Sequence, residues 1–271
     1  MEHAANYEQK INTNTTVNSS DDLDFFSISD LKRRIDLATG QKKAELVVKN
    51  ANLVNVFSGE IHRSDIAIAD GIFVGCGPTE EYREYEAQNF IDAQGRFMCP
   101  GLIDGHIHLE STFLPPREFC SIVALHGTSA VICDPHEIAN VLGLPGIDYF
   151  LYSRLPVKVY VMMPSCVPAT HMETSGAVIL DKDIRKYMDS NSSLVIGLAE
   201  MMNYPGVISK DYQTLSKLIA AGSRPKDGHA PLLSGKSLDA YIIAGLGSDH
   251  ECTNLKEAIE KIRKGMHIMI R

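Results

Sequence analysis

His106 and His108 stand two residues apart in Asp104-Gly105-His106-Ile107-His108. Alternate side chains of a β-strand share a face. Both imidazoles can therefore turn to one side and offer ring nitrogens to a single metal ion. An isolated pair of this kind arises often by accident, so its meaning depends on its company. Glu200 closes the apolar run Val195-Ile196-Gly197-Leu198-Ala199. A carboxylate at that strand end could bridge two cations and relieve their repulsion. His229, after Asp227-Gly228, and His250, after Ser248-Asp249, also follow short strand patterns and are candidates for a second ion. Any one of these residues alone reads equally well as a solvated loop histidine or a capping acid. Their recurrence at successive strand ends points to one metal centre built from His106, His108, Glu200, His229 and His250.

Other ionisable residues have weaker claims. Asp104 could hold the second nitrogen of a histidine, or serve only as a turn residue. Cys133-Asp134-Pro135-His136-Glu137 ends another strand. Pro135 is expected to keep that segment a loop, with His136 and Glu137 either touching substrate or an extra metal, or capping a helix. His171 lies in the long loop Pro168–Thr174 and is a further substrate-contact candidate. His3, His62, His126 and His267 are set aside as non-catalytic. Familiar alternatives fail on single residues. Ser234-Gly235-Lys236-Ser237 has Ala230 where a phosphate loop needs its first glycine, and His136-Glu137 meets Asn140 where a second zinc-binding histidine should stand. The HxE and PCxxC signature of zinc nucleobase deaminases is missing, and Gly75-Cys76-Gly77 opens no dinucleotide helix.

The elements that must position these groups follow from the apolar rhythm. Short apolar runs at Phe97–Ile103, Thr128–Cys133, Val157–Met163, Leu194–Ala199, Leu246–Ser248 and His267–Ile270 alternate with helical patterns. The helices are expected near Arg117–His126, Ile138–Tyr152, Asp183–Asp189, Lys210–Ala221, Ser237–Ala244 and Asn254–Lys264, with a weak strand before His229. Repeated βα units imply a parallel sheet with right-handed crossovers. About seven units fit a (β/α)8 barrel better than the alternative, a doubly wound open sheet, and a barrel carries its site on the loops after its strands. Residues 44–95 differ in character: alternating apolar residues around Asp70-Gly71 mark a hairpin within a small antiparallel unit, read as part of a β-sandwich. Residues 23–43 carry an amphipathic helix over Phe25–Leu37, capped by Ser29 or Asp30. Residues 1–22, rich in Asn, Thr, Ser and Glu, read as a disordered tail. Residues 96–271 are then the barrel domain.

Composition sets the frame. The 271 residues are 44% hydrophobic and 22% charged, as in ordinary soluble domains. A net charge of -8 argues against nucleic-acid binding, while leaving a small neutral ligand open. The six cysteines form no CxxC pair and read as free thiols of a reducing compartment. No stretch has the length of a membrane span, and the polar N-terminus lacks the apolar core of a signal peptide. A cytoplasmic location is expected.

The blocks PGLIDGHIHLEST, ICDPHEIANVLG, PSCVPAT, GLAEMMNYPGV, DGHAPLLSGK and GSDHE resemble those of the bacterial-type adenine deaminase family, within the amidohydrolase superfamily. The resemblance runs from about residue 44 to the end. It implies an amidohydrolase-type (β/α)8 barrel, hydrolysis of adenine to hypoxanthine and ammonia, and a homodimer. It also implies a binuclear centre of manganese, with iron or zinc as alternatives. His106 and His108 would hold the first ion, Glu200 would bridge where many relatives use a carbamylated lysine, and His229 and His250 would complete the second. Glu200 and His250 become the catalytic residues. The superfamily's aspartate after strand eight would lie past Arg271, so the chain is expected to be truncated near strand seven and, by itself, weakly metal-binding and inactive. Two other readings are a cyclic-amide hydrolase of the dihydroorotase or hydantoinase kind and a non-catalytic metal-binding remnant.

Overall fold

The computed structural model describes residues 27–77, 85–151, 153, 155–190 and 193–270. The tail assigned to residues 1–22, and Phe25 and Phe26 at the start of the expected helix, lie outside them. The chain divides into two compact units. One comprises Asp24–Cys133 with Tyr152–Tyr160; the other comprises Asp134–Leu151 and Val161–Arg271.

The first unit opens with helix α1 (Ile28–Ala38). Its cap is Ser27, not Ser29 or Asp30. Ser27 Oγ accepts the Asp30 N–H while the Asp30 carboxylate accepts the Ser27 N–H, a reciprocal capping box. Asp30 therefore serves as the third helical residue of that box. Strands β1 (Ala44–Asn55), β2 (Glu60–Ala69), β3 (Ile72–Gly77), β4 (Ala87–Asp92) and β5 (Phe97–Met98) form one sheet ordered β3-β2-β1-β4, with β5 also beside β1. The hairpin between β2 and β3 turns at Asp70 and Gly71, both left-handed, as a tight two-residue loop requires. The expected all-antiparallel character is corrected: β1 pairs parallel with both β4 and β5. Two antiparallel pairings, β1 with β2 and β2 with β3, leave β3 and β1 pointing the same way, and β4 shares that direction. Ala44, Val47 and Ala67 form a small buried core, covered by Val74, Tyr85 and Ala87. Strand β6 (Leu102–Ile107), a short 3-10 turn (Leu109–Thr112), helix α2 (Pro116–Ala124) and strand β7 (Thr128–Cys133) follow, with β6 and β7 parallel.

The second unit begins with α3 (His136–Leu142) and α4 (Leu144–Leu151). The single helix expected over Ile138–Tyr152 is broken at Gly143, whose φ of 66° and ψ of -145° no helix accommodates. Nor does Pro135 keep its segment a loop. Its steric restriction falls on the preceding residue, Asp134, and the helix starts directly after the proline, at His136. Strands β8 (Lys158–Met163), β9 (Val195–Met201) and β10 (Lys226–Gly228) are parallel neighbours, β8 joining β9 through Val161–Met163. Helices α5 (Asp181–Ser190), α6 (Tyr204–Ser209) and α7 (Tyr212–Ala220) lie between them along the chain. Helix α8 (Gly235–Ile243), strand β11 (Ser248–Asp249), helix α9 (Leu255–Arg263) and strand β12 (His267–Ile268) continue the alternation. The Gly247 N–H bonds the Lys226 carbonyl at 3.0 Å and joins β11 to β10, while β11 and β12 pair in parallel.

Strand order therefore follows chain order from β8 to β12. A doubly wound sheet reverses its order at a switch point, so this succession is that of a (β/α) barrel wall. Gly228 is obligatory, because a Cβ there would sit 2.3 Å from the Ser248 carbonyl oxygen. Helix α9 buries Glu257 and Lys261 while exposing Leu255 and Ile262, the reverse of an ordinary amphipathic helix.

Candidate metal centre

Strand β9 is buried along nearly its whole length, and it carries Glu200 inside the second unit at 3% exposure. A carboxylate so placed must find partners or pay a large desolvation penalty. Three imidazoles supply them. His250 Nε2 lies 2.6 Å and His229 Nδ1 3.4 Å from Glu200 Oε2, and His136 Nδ1 lies 3.8 Å from Oε1. Burial pushes the Glu200 carboxyl up, but the hydrogen bonds and charges of His229 and His250 outweigh it and hold the group well below the usual carboxylate range. Burial likewise favours neutral His250, and the Glu200 carboxylate reverses that preference. Glu251 adds a second carboxylate, its Oε1 3.5 Å from His250 Nε2 and 3.9 Å from His229 Nδ1. Ligating atoms of His229, His250 and Glu251 all fall within 4.8 Å of one another.

Each of these residues is held through its chain neighbours. The buried Tyr241 hydroxyl accepts the His229 N–H at 3.0 Å and donates to the carbonyl of Met201, beside Glu200, at 2.8 Å. Ser165 Oγ donates to the Glu200 carbonyl at 2.8 Å. Asp134, 1% exposed, accepts the backbone N–H groups of His136 at 3.2 Å and Glu200 at 3.3 Å, and its Oδ1 lies 3.2 Å from His136 Nδ1. Asp227 accepts the Ser248 hydroxyl at 2.8 Å; its burial pushes the carboxyl up, and that hydrogen bond opposes the rise.

In the first unit, His106 near the end of β6 and His108 just beyond it present their Nε2 atoms 3.3 Å apart, with ring planes at 89°. Asp104 accepts the His106 backbone N–H at 3.1 Å, a turn contact.

The structure thus gathers Glu200, His229, His250 and His136 in one unit and sets His106 beside His108 in the other. Glu137 sits exposed in the first turn of α3, and His171 is exposed on the loop between β8 and α5; neither is among the groups just described. Sequence reasoning missed the residues that do the holding. Tyr241 and Ser165 sit in ordinary helix and loop patterns, whereas Asp134 lies two residues before His136 and Glu251 directly follows His250, and that proximity was a usable signal.

The donor set suits a divalent first-row cation: imidazole nitrogens and carboxylate oxygens, converging on a buried carboxylate that already attracts positive charge. The amidohydrolase family profile matches residues 97–271. Over 239 residues the chain is 54% identical to the adenine deaminase of Oleidesulfovibrio alaskensis, covering 88% of this chain and 41% of that protein. The adenine deaminases of Desulfatibacillum aliphaticivorans, at 48% identity, and Clostridium acetobutylicum, at 47%, match similarly. The chain thus spans about 41–42% of the length of these curated relatives. Among solved structures, a D-aminoacylase superposes with a TM-score of 0.54 at 12% identity, covering 84% of this chain and 58% of that one. An N-acyl-D-glutamate deacylase from Bordetella bronchiseptica reaches 0.50 at 14%, with 84% and 58% covered. These similarities show the fold alone. With strands succeeding one another as in a barrel wall and a family profile covering most of its length, the chain carries part of a (β/α) barrel and belongs to the amidohydrolase family.

Proposed function

We propose that the protein to which these residues belong hydrolyses adenine to hypoxanthine and ammonia at a divalent metal centre. The observation that carries the reading is the buried Glu200 carboxylate between His229 and His250, in a chain about half identical to curated adenine deaminases. Glu200, His229 and His250 would hold one cation. The resemblance assigns His106 and His108 to a second. Manganese is the first candidate, iron and zinc the alternatives. When bound, the cations supply Lewis acidity that makes water a nucleophile near neutral pH.

The rest of the chemistry falls to side chains. Adenine hydrolysis exchanges the amine at C6 for oxygen, consuming one water and releasing ammonia, so a proton must be taken from water and given to the departing nitrogen. Glu200 and His250 are the residues on which turnover depends most, through the tight contact between them. His136, Glu137 and His171 are proposed substrate contacts. His136 is favoured among them by its place against Glu200. The sandwich read from residues 44–95, the barrel domain over 96–271 and the homodimer belong to the same proposal. No helix among the described residues is long and apolar enough to cross a membrane.

The test is product analysis on the intact, metal-loaded protein offered adenine, dihydroorotate and hydantoin in parallel. Equal amounts of hypoxanthine and ammonia from adenine are expected, with the cyclic amides untouched. Ring opening of a cyclic amide without adenine turnover would overturn the proposal.

A further inference from the structure

Beside the centre lies another group of ligating atoms: those of Asp249, Cys252 and Glu257 fall within 4.8 Å of one another. Viewed alone it resembles a second cation site, but the chain supplies its own cation. Lys261 Nζ, fully buried, donates to Asp249 Oδ2, to Glu257 Oε1 at 2.6 Å and to the Ala230 carbonyl at 2.7 Å. An ammonium has three donors, and each has an acceptor.

Those acceptors are informative by position. Ala230 directly follows His229, and Asp249 directly precedes His250. Glu257 stands one turn back on α9, and its Oε1 also accepts the Leu232 N–H at 2.7 Å. Asp249 Oδ1 accepts the Glu251 N–H at 2.9 Å. One ammonium thus ties the loop after β10 to the end of β11. Burying such a cluster is a poor way to gain stability, since apolar side chains of similar volume often do as well. What it supplies is a fixed geometry.

We propose that Lys261 is a positioning residue that sets the separation of His229 and His250 for the metal ion. The proposal rests on the reading of Glu200, His229 and His250 as ligands. It predicts that loss of the ammonium spreads the two histidines although neither is altered. Charge can be separated from geometry: one ammonium and two carboxylates leave one net negative charge, and Lys261→Met with Glu257→Gln leaves the same one.

The experiment measures Co2+ affinity and the visible cobalt spectrum of the intact protein, with near-ultraviolet circular dichroism to verify folding. Lys261→Met and the double variant are expected to bind Co2+ about tenfold or more weakly, the range seen when groups orienting metal ligands are lost, with an altered cobalt spectrum. A folded double variant with native affinity and spectrum would overturn the proposal. Should the Lys261 variants not fold, Asp249→Ala, which leaves Lys261 paired with Glu257, is expected to show a similar loss, and an unchanged affinity there would equally overturn it. Unchanged affinity in Glu200→Gln would overturn the ligand reading itself, and this proposal with it.

Discussion

The ligand candidates take their properties from what surrounds them. Glu200 can stay ionised in a buried strand because two imidazoles face one of its oxygens, and those imidazoles are placed by backbone hydrogen bonds to their neighbours. Tyr241 is the clearest case, its one hydroxyl serving the strands of Glu200 and His229 together. Tyr241→Phe would leave a buried N–H and a buried carbonyl short of a partner. It is expected to cost about 1–3 kcal/mol, read from urea denaturation; unchanged stability would show that water replaces the hydroxyl. The metal-ligand candidates were legible in the sequence because histidines and a carboxylate interrupt apolar runs where strands should end. The holding residues were not. Glu257 and Lys261 are spaced as a surface ion pair on a helix, and only the packed structure shows both of them buried.

At the scale of elements, the βα alternation was readable where apolar runs were long. Thr128–Cys133 is a strand with the expected bounds. The two- and three-residue strands β10, β11 and β12 were harder, since so few residues carry no periodicity. Helix α6 went unread because it is a single short turn-and-a-half capped by Asn203. The close approach of β10 and β11 depends on the missing side chain of Gly228. Gly228→Ala is expected to lower stability by about 1–3 kcal/mol through overpacking, and a thermal melt unaffected by it would contradict that packing. In the first unit, Arg33 makes a two-pronged ion pair with Asp70, at 2.7 and 2.8 Å, and anchors α1 to the hairpin. The Arg33 hydrogen bond holds the Asp70 carboxyl below its ordinary value. A depressed carboxylate stabilises the fold above its unfolded pKa of about 3.9, and the contribution fades as pH falls through the folded value. Amide protection in α1 is thus expected to be level above pH ~5 and to drop below pH ~4. Arg33→Ala should erase that step, whereas a step that persists in the variant would assign it to another group.

For the molecule as a whole, the amidohydrolase assignment rests on three independent supports: a family profile, strands that succeed one another as in a barrel wall, and a buried carboxylate–imidazole cluster near strand ends. The (β/α) barrel character was legible because repeated βα units leave few topologies. The parallel returns of β4 and β5 were not, since hairpin signals describe only neighbouring strands. Glu200 is proposed to organise a metal centre for adenine hydrolysis. The most direct test is the rate of ammonia release from adenine by the intact, Mn2+-loaded protein and by its Glu200→Gln variant, with bound metal measured in both. Metal-dependent turnover is expected in the first, and in the variant a loss of bound metal with a fall in rate of at least about a hundredfold. A variant that keeps its metal and its rate would contradict the proposal.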